Sequence, residues 1–318
     1  MKRYRILTFW LIAAAMLAAC DPHEFPASEG GDPLRDFSLQ LTFDDELPVH
    51  RQITASTKAG GTPAARYTVM LYRYGSGPAF GLDPDYTYTF TRDRIADLDT
   101  TIFLPINPDR YRVAGWVDWG DYDISNPEKI LLAGDYASGE NARDAFAFST
   151  NYDVEGYLAA GEQYSKKVIL RRPVAQLRFI APEALTFLAE TGIDASAMTA
   201  TLRYTSDLPD GYNLLTDRLV GSRSEVTLTA VPWMDASGEL VFLSDFIFST
   251  DEGTSVTAEF TLTDAGGKEI AVFAGEIPLR RAHVTTVSFT SPSGGGESKP
   301  GGIGIDPGFE GEIEVPIS

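Results

Sequence analysis

The sequence predicts an all-β protein built as two β-sandwiches in series, with one short helix in the second. Strand-length segments that alternate apolar and polar residues recur about every ten residues over some 250 residues, and turn chemistry separates them. Only one stretch has the marks of a helix, and no fixed repeat points to a propeller or solenoid.

The first strand comes from Phe37, Leu39, Leu41 and Phe43 alternating with Ser38, Gln40, Thr42 and Asp44, a pattern that suits a sheet wet on one side. After a polar loop at Ser56–Ala65, Tyr67, Val69 and Leu71 alternate with Thr68, Met70 and Tyr72. Gly75–Pro84 breaks the chain before Tyr86, Tyr88 and Phe90 alternate with Thr87, Thr89 and Thr91. Branched and aromatic side chains of this kind fit a pleated surface. Tyr111–Trp119 is the most informative strand of this half. Tyr111, Val113, Val117 and Trp119 share one face and Arg112, Ala114, Trp116 and Asp118 the other, so tryptophans on opposite faces require cover on both sides. Ala145–Tyr152 gives a further strand.

Val154–Ser165 holds the expected domain boundary, and Lys166–Ile180 follows as an extended run interrupted by Pro173. A proline there marks an edge or a bulge, so the run is expected to be two strands handing over between domains. Arg171 and Arg172 precede it, as partners of acidic neighbours or as a ligand clamp. The helix spans Ala184–Glu190, started by Pro182 and closed at Gly192. Alternation resumes at Ala200, Leu202 and Tyr204, turns at Leu208-Pro209-Asp210-Gly211, and returns at Val226, Leu228 and Ala230. Strands are then expected over Leu240–Leu243, Phe246–Phe248, Val256–Leu262, Glu269–Phe273 and Val284–Phe289, with a hairpin at Asp264-Ala265-Gly266-Gly267. Ser291–Gly302 is a Ser/Pro/Gly linker. It carries a last short strand in which Ile313, Val315 and Ile317 alternate with Glu312, Glu314 and Pro316. That strand can close its own sheet edge or complete the sheet of another subunit, where main-chain hydrogen bonds supply affinity.

The N-terminus assigns a compartment. Lys2, Arg3 and Arg5 precede an apolar run of 14 residues, Ile6–Ala19, and then Cys20, the chain's one cysteine. The run is too short to cross about 30 Å of hydrocarbon as a permanent helix, so residues 1–19 form a signal peptide. Leu17-Ala18-Ala19-Cys20 resembles a bacterial lipobox, which implies diacylglycerol on the Cys20 thiol, cleavage before it and acylation of the new amino group. The alternative is an ordinary signal sequence with cleavage beside Cys20. The expected layout is therefore a tether at 20–32, sandwiches at 33–165 and 166–290, and the linker and last strand at 291–318.

Loss of three basic residues with the signal peptide takes the formal charge from -19 to -22, which repels nucleic acid and anionic headgroups. Hydrophobic residues at 43% and aromatics at 11% are ample for packed cores, so the acidity does not signal disorder. With Cys20 lipidated no thiol remains for a disulfide or a cysteine metal cluster, and His23, His50 and His283 lie far apart. Asp118, Asp121 and Asp123 lack the Gly and distal Glu of a calcium loop and are expected as a solvated acidic turn. No nucleophile elbow, phosphate loop, zinc-protease motif or dinucleotide fingerprint occurs, so neither enzymatic activity nor a cofactor is expected.

Five stretches together resemble a Bacteroidales lipoprotein family allied to fimbrillins. They are Cys20-Asp21-Pro22-His23-Glu24-Phe25-Pro26, Val113-Ala114-Gly115-Trp116-Val117-Asp118-Trp119, the run from Arg171 to Phe179, Ile277-Pro278-Leu279-Arg280-Arg281, and Gly301-Gly302-Ile303-Gly304-Ile305-Asp306-Pro307. The resemblance implies transthyretin-like sandwiches, export to the outer membrane with the lipid as anchor, and a role in fimbriae or adhesion. In polymerising fimbrillins an Arg-specific protease removes the first strand and a neighbour's C-terminal strand replaces it. Arg51 is the corresponding cut position here, and Ile313, Val315 and Ile317 the donor residues. The expected function is a surface lipoprotein serving as a structural or adhesive subunit, whose partners are the membrane, other fimbrial subunits or a surface ligand. The alternative is a glycan-binding lipoprotein in which Trp116 or Trp119 stacks on sugar rings.

Overall fold

The computed structural model describes residues 35–43, 65–74, 83–92, 100–119, 122–132, 144–153, 165–235, 237–290, 300–306 and 313–315. Cys20, Arg51 and Ile317 lie outside them, as do the signal peptide and tether. No described helix is long and apolar enough to cross a membrane.

The first half supplies β1 (Arg35–Phe43), β2 (Ala65–Arg73), β3 (Tyr86–Arg92), β4 (Thr100–Ile106), β5 (Arg110–Asp118), β6 (Tyr122–Asp123), β7 (Ile130–Leu132), β8 (Phe146–Asp153) and β9 (Ser165–Leu170). One sheet runs β4-β1-β9, and the facing sheet runs β3-β2-β5-β8. Strand β1 sits between an antiparallel β4 and a parallel β9, so both its edges are paired. The alternation expected at Phe37, Leu39 and Leu41 sends these side chains inward, where they pack with Tyr67, Val69 and Leu71 of β2 and Tyr111, Val113 and Val117 of β5. Val168 and Leu170 of β9 belong to the same core, three and five residues beyond residue 165, and the chain leaves this sandwich after Leu170. Pro173 separates β9 from β10 (Val174–Ala181), so the extended run is two strands that hand over between sandwiches.

After β10 come the helix α1 (Ala184–Thr191) and a 3-10 turn at Ala195–Ala197. Helix α1 ends at Gly192 in the left-handed region (φ 65°), and the Gly192 N–H donates to Leu188 O. The remaining strands are β11 (Thr199–Tyr204), β12 (Leu208–Asn213), β13 (Arg218–Arg223), β14 (Thr227–Ala230), β15 (Trp233–Met234), β16 (Leu240–Phe248), β17 (Thr254–Thr263), β18 (Glu269–Leu279), β19 (Val284–Phe289), β20 (Pro300–Asp306) and β21 (Ile313–Val315). All but β12 and β13 join β10 in the second sandwich, β15-β16-β10-β19-β20-β21 against β14-β11-β17-β18. Its core centres on Phe179, stacked on Phe260 at 4.4 Å between ring centroids, with Phe242 and Phe289 around them.

Several elements depart from the sequence reading. Leu208-Pro209-Asp210-Gly211 is not a turn but the body of β12. The expected strands at 240–243 and 246–248 are one strand, because the polar residues between them are paired: Ser244 Oγ accepts from Gln176 Nε2 at 3.1 Å and Asp245 from Tyr204 Oη at 2.8 Å. The end of the expected linker is strand β20, paired along β19 from Val284–Asp306 to Phe289–Pro300. Strand β21 pairs with β20 and places Ile313 and Val315 at the edge of that sheet.

A fifth sheet, β13-β12-β7-β6, draws strands from both halves, with Gly211 and Tyr212 of β12 opposite Leu131 and Ile130 of β7. It covers the outer face of β2, β5 and β8. There Met70, Tyr72, Ala114, Trp116 and Ala147 form a third core with Tyr122, Ile130, Tyr212, Leu214, Phe246 and Phe248.

Candidate binding groove

Trp116 of β5 and Trp119 just after it pack into different cores on opposite sides of the sheet, as the alternation requires, and neither is an open platform. Trp116 is 1% exposed, edge-on to Tyr122 at 5.2 Å and tilted against Tyr212 at 6.0 Å, and its Nε1 donates to Asp118 Oδ2 at 3.0 Å. It is closed to any sugar ring. Trp119 is half-buried against the first core, edge-on to Phe146 at 6.3 Å.

Of the three acids read as a solvated turn, Asp121 lies outside the described residues and Asp123 is exposed. Asp118 is fully buried and accepts from Arg66 Nε at 2.9 Å and Nη2 at 2.7 Å, so it is half of an ion pair rather than a solvated carboxylate. No cluster of metal-ligating side chains is found among the described residues. Of the two arginines before Pro173, Arg172 is buried on Asp144, with Nε 2.8 Å from Oδ1 and Nη2 2.7 Å from Oδ2, over the Phe146 ring at 4.9 Å. Arg171 instead faces outward, into a cleft.

That cleft has a volume of about 440 Å³ and follows the seam where the two sheets of the first sandwich meet. The edge strands β8 and β9 join at one point: Ala147 N–H donates to Arg171 O at 2.8 Å, and Arg171 N–H to Ala147 O at 2.9 Å. Beyond this pair no further ladder joins the two strands. In an antiparallel pair, residues two positions on direct their main-chain groups the same way. Ser149 therefore looks toward Ile169, and Asn151 toward Lys167, across the opening. The second half of the chain supplies the far wall, through Tyr212, Thr216 and Asp217 of the β12–β13 hairpin and Arg281.

The cleft is basic in a strongly acidic protein. Arg112, Lys166, Lys167, Arg171 and Arg281 line it, against Asp217 as its one carboxylate. Arg112 is spent on Asn151 Oδ1 at 3.0 Å and Leu215 O at 2.7 Å. Arg281 is held between Asp217 and Asp251, each 2.5 Å away. Burial alone would raise the Asp217 carboxyl, but hydrogen bonds from Arg281 and Tyr212 outweigh it and hold the group below its ordinary value. Asp251 is lowered chiefly by its hydrogen bond from Arg281. Burial first, then Asp217, raises the Tyr212 phenol. Lys167 and Arg171 are exposed and make no salt bridge among the described residues, although the Arg171 charge reaches Asp251. Two buried donors on this wall, Ser149 Oγ and Arg112 Nε, lack hydrogen-bond partners. Arg171 is the one residue of this site singled out by the sequence, as half of an Arg-Arg pair. The convergence of Lys167, Arg112 and Arg281 depends on the seam and on a wall from the second half of the chain, which no local pattern announces.

The sequence model of a family of unknown function (DUF6562) matches residues 34–318. No curated protein matches the chain in sequence. The fold is similar to the crystal structure of a candidate polysaccharide-binding protein (DUF1812) from Bacteroides thetaiotaomicron, at 11% identity and a TM-score of 0.51, over 88% of this chain and 98% of that one. It is similar to a candidate adhesin from the same species at 10% identity and a TM-score of 0.51, over 91% of this chain and all of that one (100%). A weaker likeness, at 10% identity and a TM-score of 0.47, is to the fimbrial anchor protein Mfa2 from Porphyromonas gingivalis, over 86% and 97% of the two chains. At these identities the first two establish likeness of fold.

Proposed function

The chain belongs to the DUF6562 family, and from that premise we propose that it is a non-enzymatic surface lipoprotein acting as a fimbrillin-like structural or adhesive subunit. The observation that carries this reading is the joining of two sandwiches through a shared sheet and a third aromatic core. Such a junction suits a subunit that transmits load or holds a surface away from the membrane. The lipobox at Cys20 supplies the anchor, and the fold shared with a candidate adhesin agrees with the role.

Mass spectrometry of the native mature protein tests the anchor. A start at acylated Cys20 is expected for an anchored subunit and a start at Gln52 for one cut after Arg51, whereas an unmodified N-terminus elsewhere overturns the lipoprotein reading. Assembly by strand donation has a separate test. Deleting residues 307–318 removes β21 and leaves β20 on β19, so the monomer should stay folded while oligomers disappear; undiminished oligomers would exclude Ile313, Val315 and Ile317 as donor residues. The glycan-binding reading now depends on Trp119, and glycan-array binding that survives Trp119→Ala removes its stacking role.

A further inference from the structure

We propose that the open seam between β8 and β9 is a docking groove for an extended acidic segment of a partner protein, which adds as a strand and meets Lys167 and Arg171 with its carboxylates. The place of β1 is a different one, since both edges of β1 are already taken by β4 and β9.

Three features select this occupant. The first is main-chain chemistry. Edge strands that exchange a single pair and then stop pairing leave further main-chain donors and acceptors on those edges, the usual template for strand addition. The second is charge: two exposed cations that make no salt bridge among the described residues, beside three others, form a basic strip on a chain of net charge -19. An acidic segment is drawn there and repelled from most of the remaining surface. The third is the character of the walls. The rings that reach the cleft, Phe148 and Tyr212, are 7% and 4% exposed, so no open aromatic face is presented for a sugar to stack on. Ser149 Oγ and Arg112 Nε, buried beside the seam without acceptors, fit a site completed by an added chain. A cleft of about 440 Å³ is a short site, so the affinity is expected to be modest and salt-dependent.

The test uses the full mature chain and fluorescein-labelled ten-residue peptides in which Glu alternates with Thr and Val, read by fluorescence anisotropy. Binding is expected for the Glu peptide, weakening by about tenfold or more for each charge reversed in Lys167→Glu and Arg171→Glu. Both positions are exposed, and unchanged thermal melting of the variants verifies their folding. A Gln counterpart is expected to lose most of the affinity, and so is a Glu peptide N-methylated at alternate residues, which keeps its charge but cannot pair as a strand. Amide exchange should slow at Ser149 and Ile169 when the Glu peptide binds. No binding, equal binding of the Gln or N-methylated peptide, or indifference to both charge reversals overturns the proposal. So does binding of oligogalacturonate at this seam while the peptide stays silent, which would reassign the cations to an acidic glycan. None of these outcomes bears on the lipid anchor, so the groove and the subunit reading stand or fall separately.

Discussion

Asp118 is wholly enclosed, with its carboxylate taken by the Arg66 guanidinium and by Trp116 Nε1, while Arg66 also donates to Tyr122 O at 2.7 Å. Removing one partner of such a pair leaves a buried charge uncompensated, which costs about 3–5 kcal/mol. Arg66→Ala, which leaves the Asp118 carboxylate enclosed without its cation, should therefore lower the unfolding free energy in urea by roughly that amount. Arg203→Ala, which breaks the open Arg203–Glu259 pair across β11 and β17, should change it by about 1 kcal/mol or less. Asp118 and Asp123 look alike in a run of acids, and only the fold separates them. Asp118 occupies the β5 face that the small sheet covers, whereas Asp123 is exposed and accepts from the Ser125 N–H. The carboxylates around Arg281 make stability depend on pH. Asp217 and Asp251 both have folded values below their ordinary one, so their stabilising contribution is complete above the unfolded carboxylate range near about 3.9 and is lost as pH falls through the lower folded values. The stability gap between the wild-type protein and Asp251→Asn should accordingly be widest near neutrality and close as the pH is taken down toward about 2.5. A gap that widens on acidification would contradict the assignment.

At the scale of elements, two-residue alternation located the strands whose two faces differ, and it faltered where a strand is covered on both. Strand β1 shows its inward face plainly at Phe37, Leu39 and Leu41, and the proline break between β9 and β10 was legible because a missing N–H cannot sit within a ladder. Strand β16 is buried along its whole length, with Leu240, Phe242, Leu243 and Ile247 in the second core and Phe246 and Phe248 in the third, so Ser244-Asp245 looked like a break. Strand β12 was masked by its composition. Pro209-Asp210-Gly211 has turn chemistry, yet Gly211 serves close packing, since a Cβ there would lie 2.6 Å from Ile130 O of β7. Gly115 has a similar role in β5. A Cβ at this position would enter the ring of Phe148, the opposite residue on β8. Gly115→Ala should therefore displace the Phe148 ring and cost about 1–3 kcal/mol, despite alanine's better fit to extended backbone. Urea unfolding gives the cost. Because Phe148 lines the seam, the same variant should also weaken the Glu-peptide affinity, a pairing that a purely local packing defect would not produce.

For the whole molecule, the decisive feature is what lies between the sandwiches. Periodicity shows that a face is apolar but not which partner covers it, so Trp116 and Trp119 implied cover on both sides of β5 without identifying the third core. In that core Trp116 and Met70 from the first half meet Tyr212, Phe246 and Phe248 from the second, with Tyr212 stacked on Phe248 at 6.1 Å. Arg112 Nη2 bonded to Leu215 O and the β7–β12 pairing add polar links across the same boundary. Sandwiches joined in this way should unfold together, in one calorimetric transition whose van't Hoff and calorimetric enthalpies agree. Trp116→Ala takes the largest ring out of the junction while leaving both inner cores intact, at a cost of about 3–5 kcal/mol. It should split that transition in two, the sandwich with the weaker core melting first. Phe242→Ala removes a ring of comparable burial from inside the second core and should lower the transition without dividing it. If Trp116→Ala keeps a single transition and Phe242→Ala divides it, cooperativity resides in the sandwiches rather than at their junction, and the subunit would yield under load between its halves.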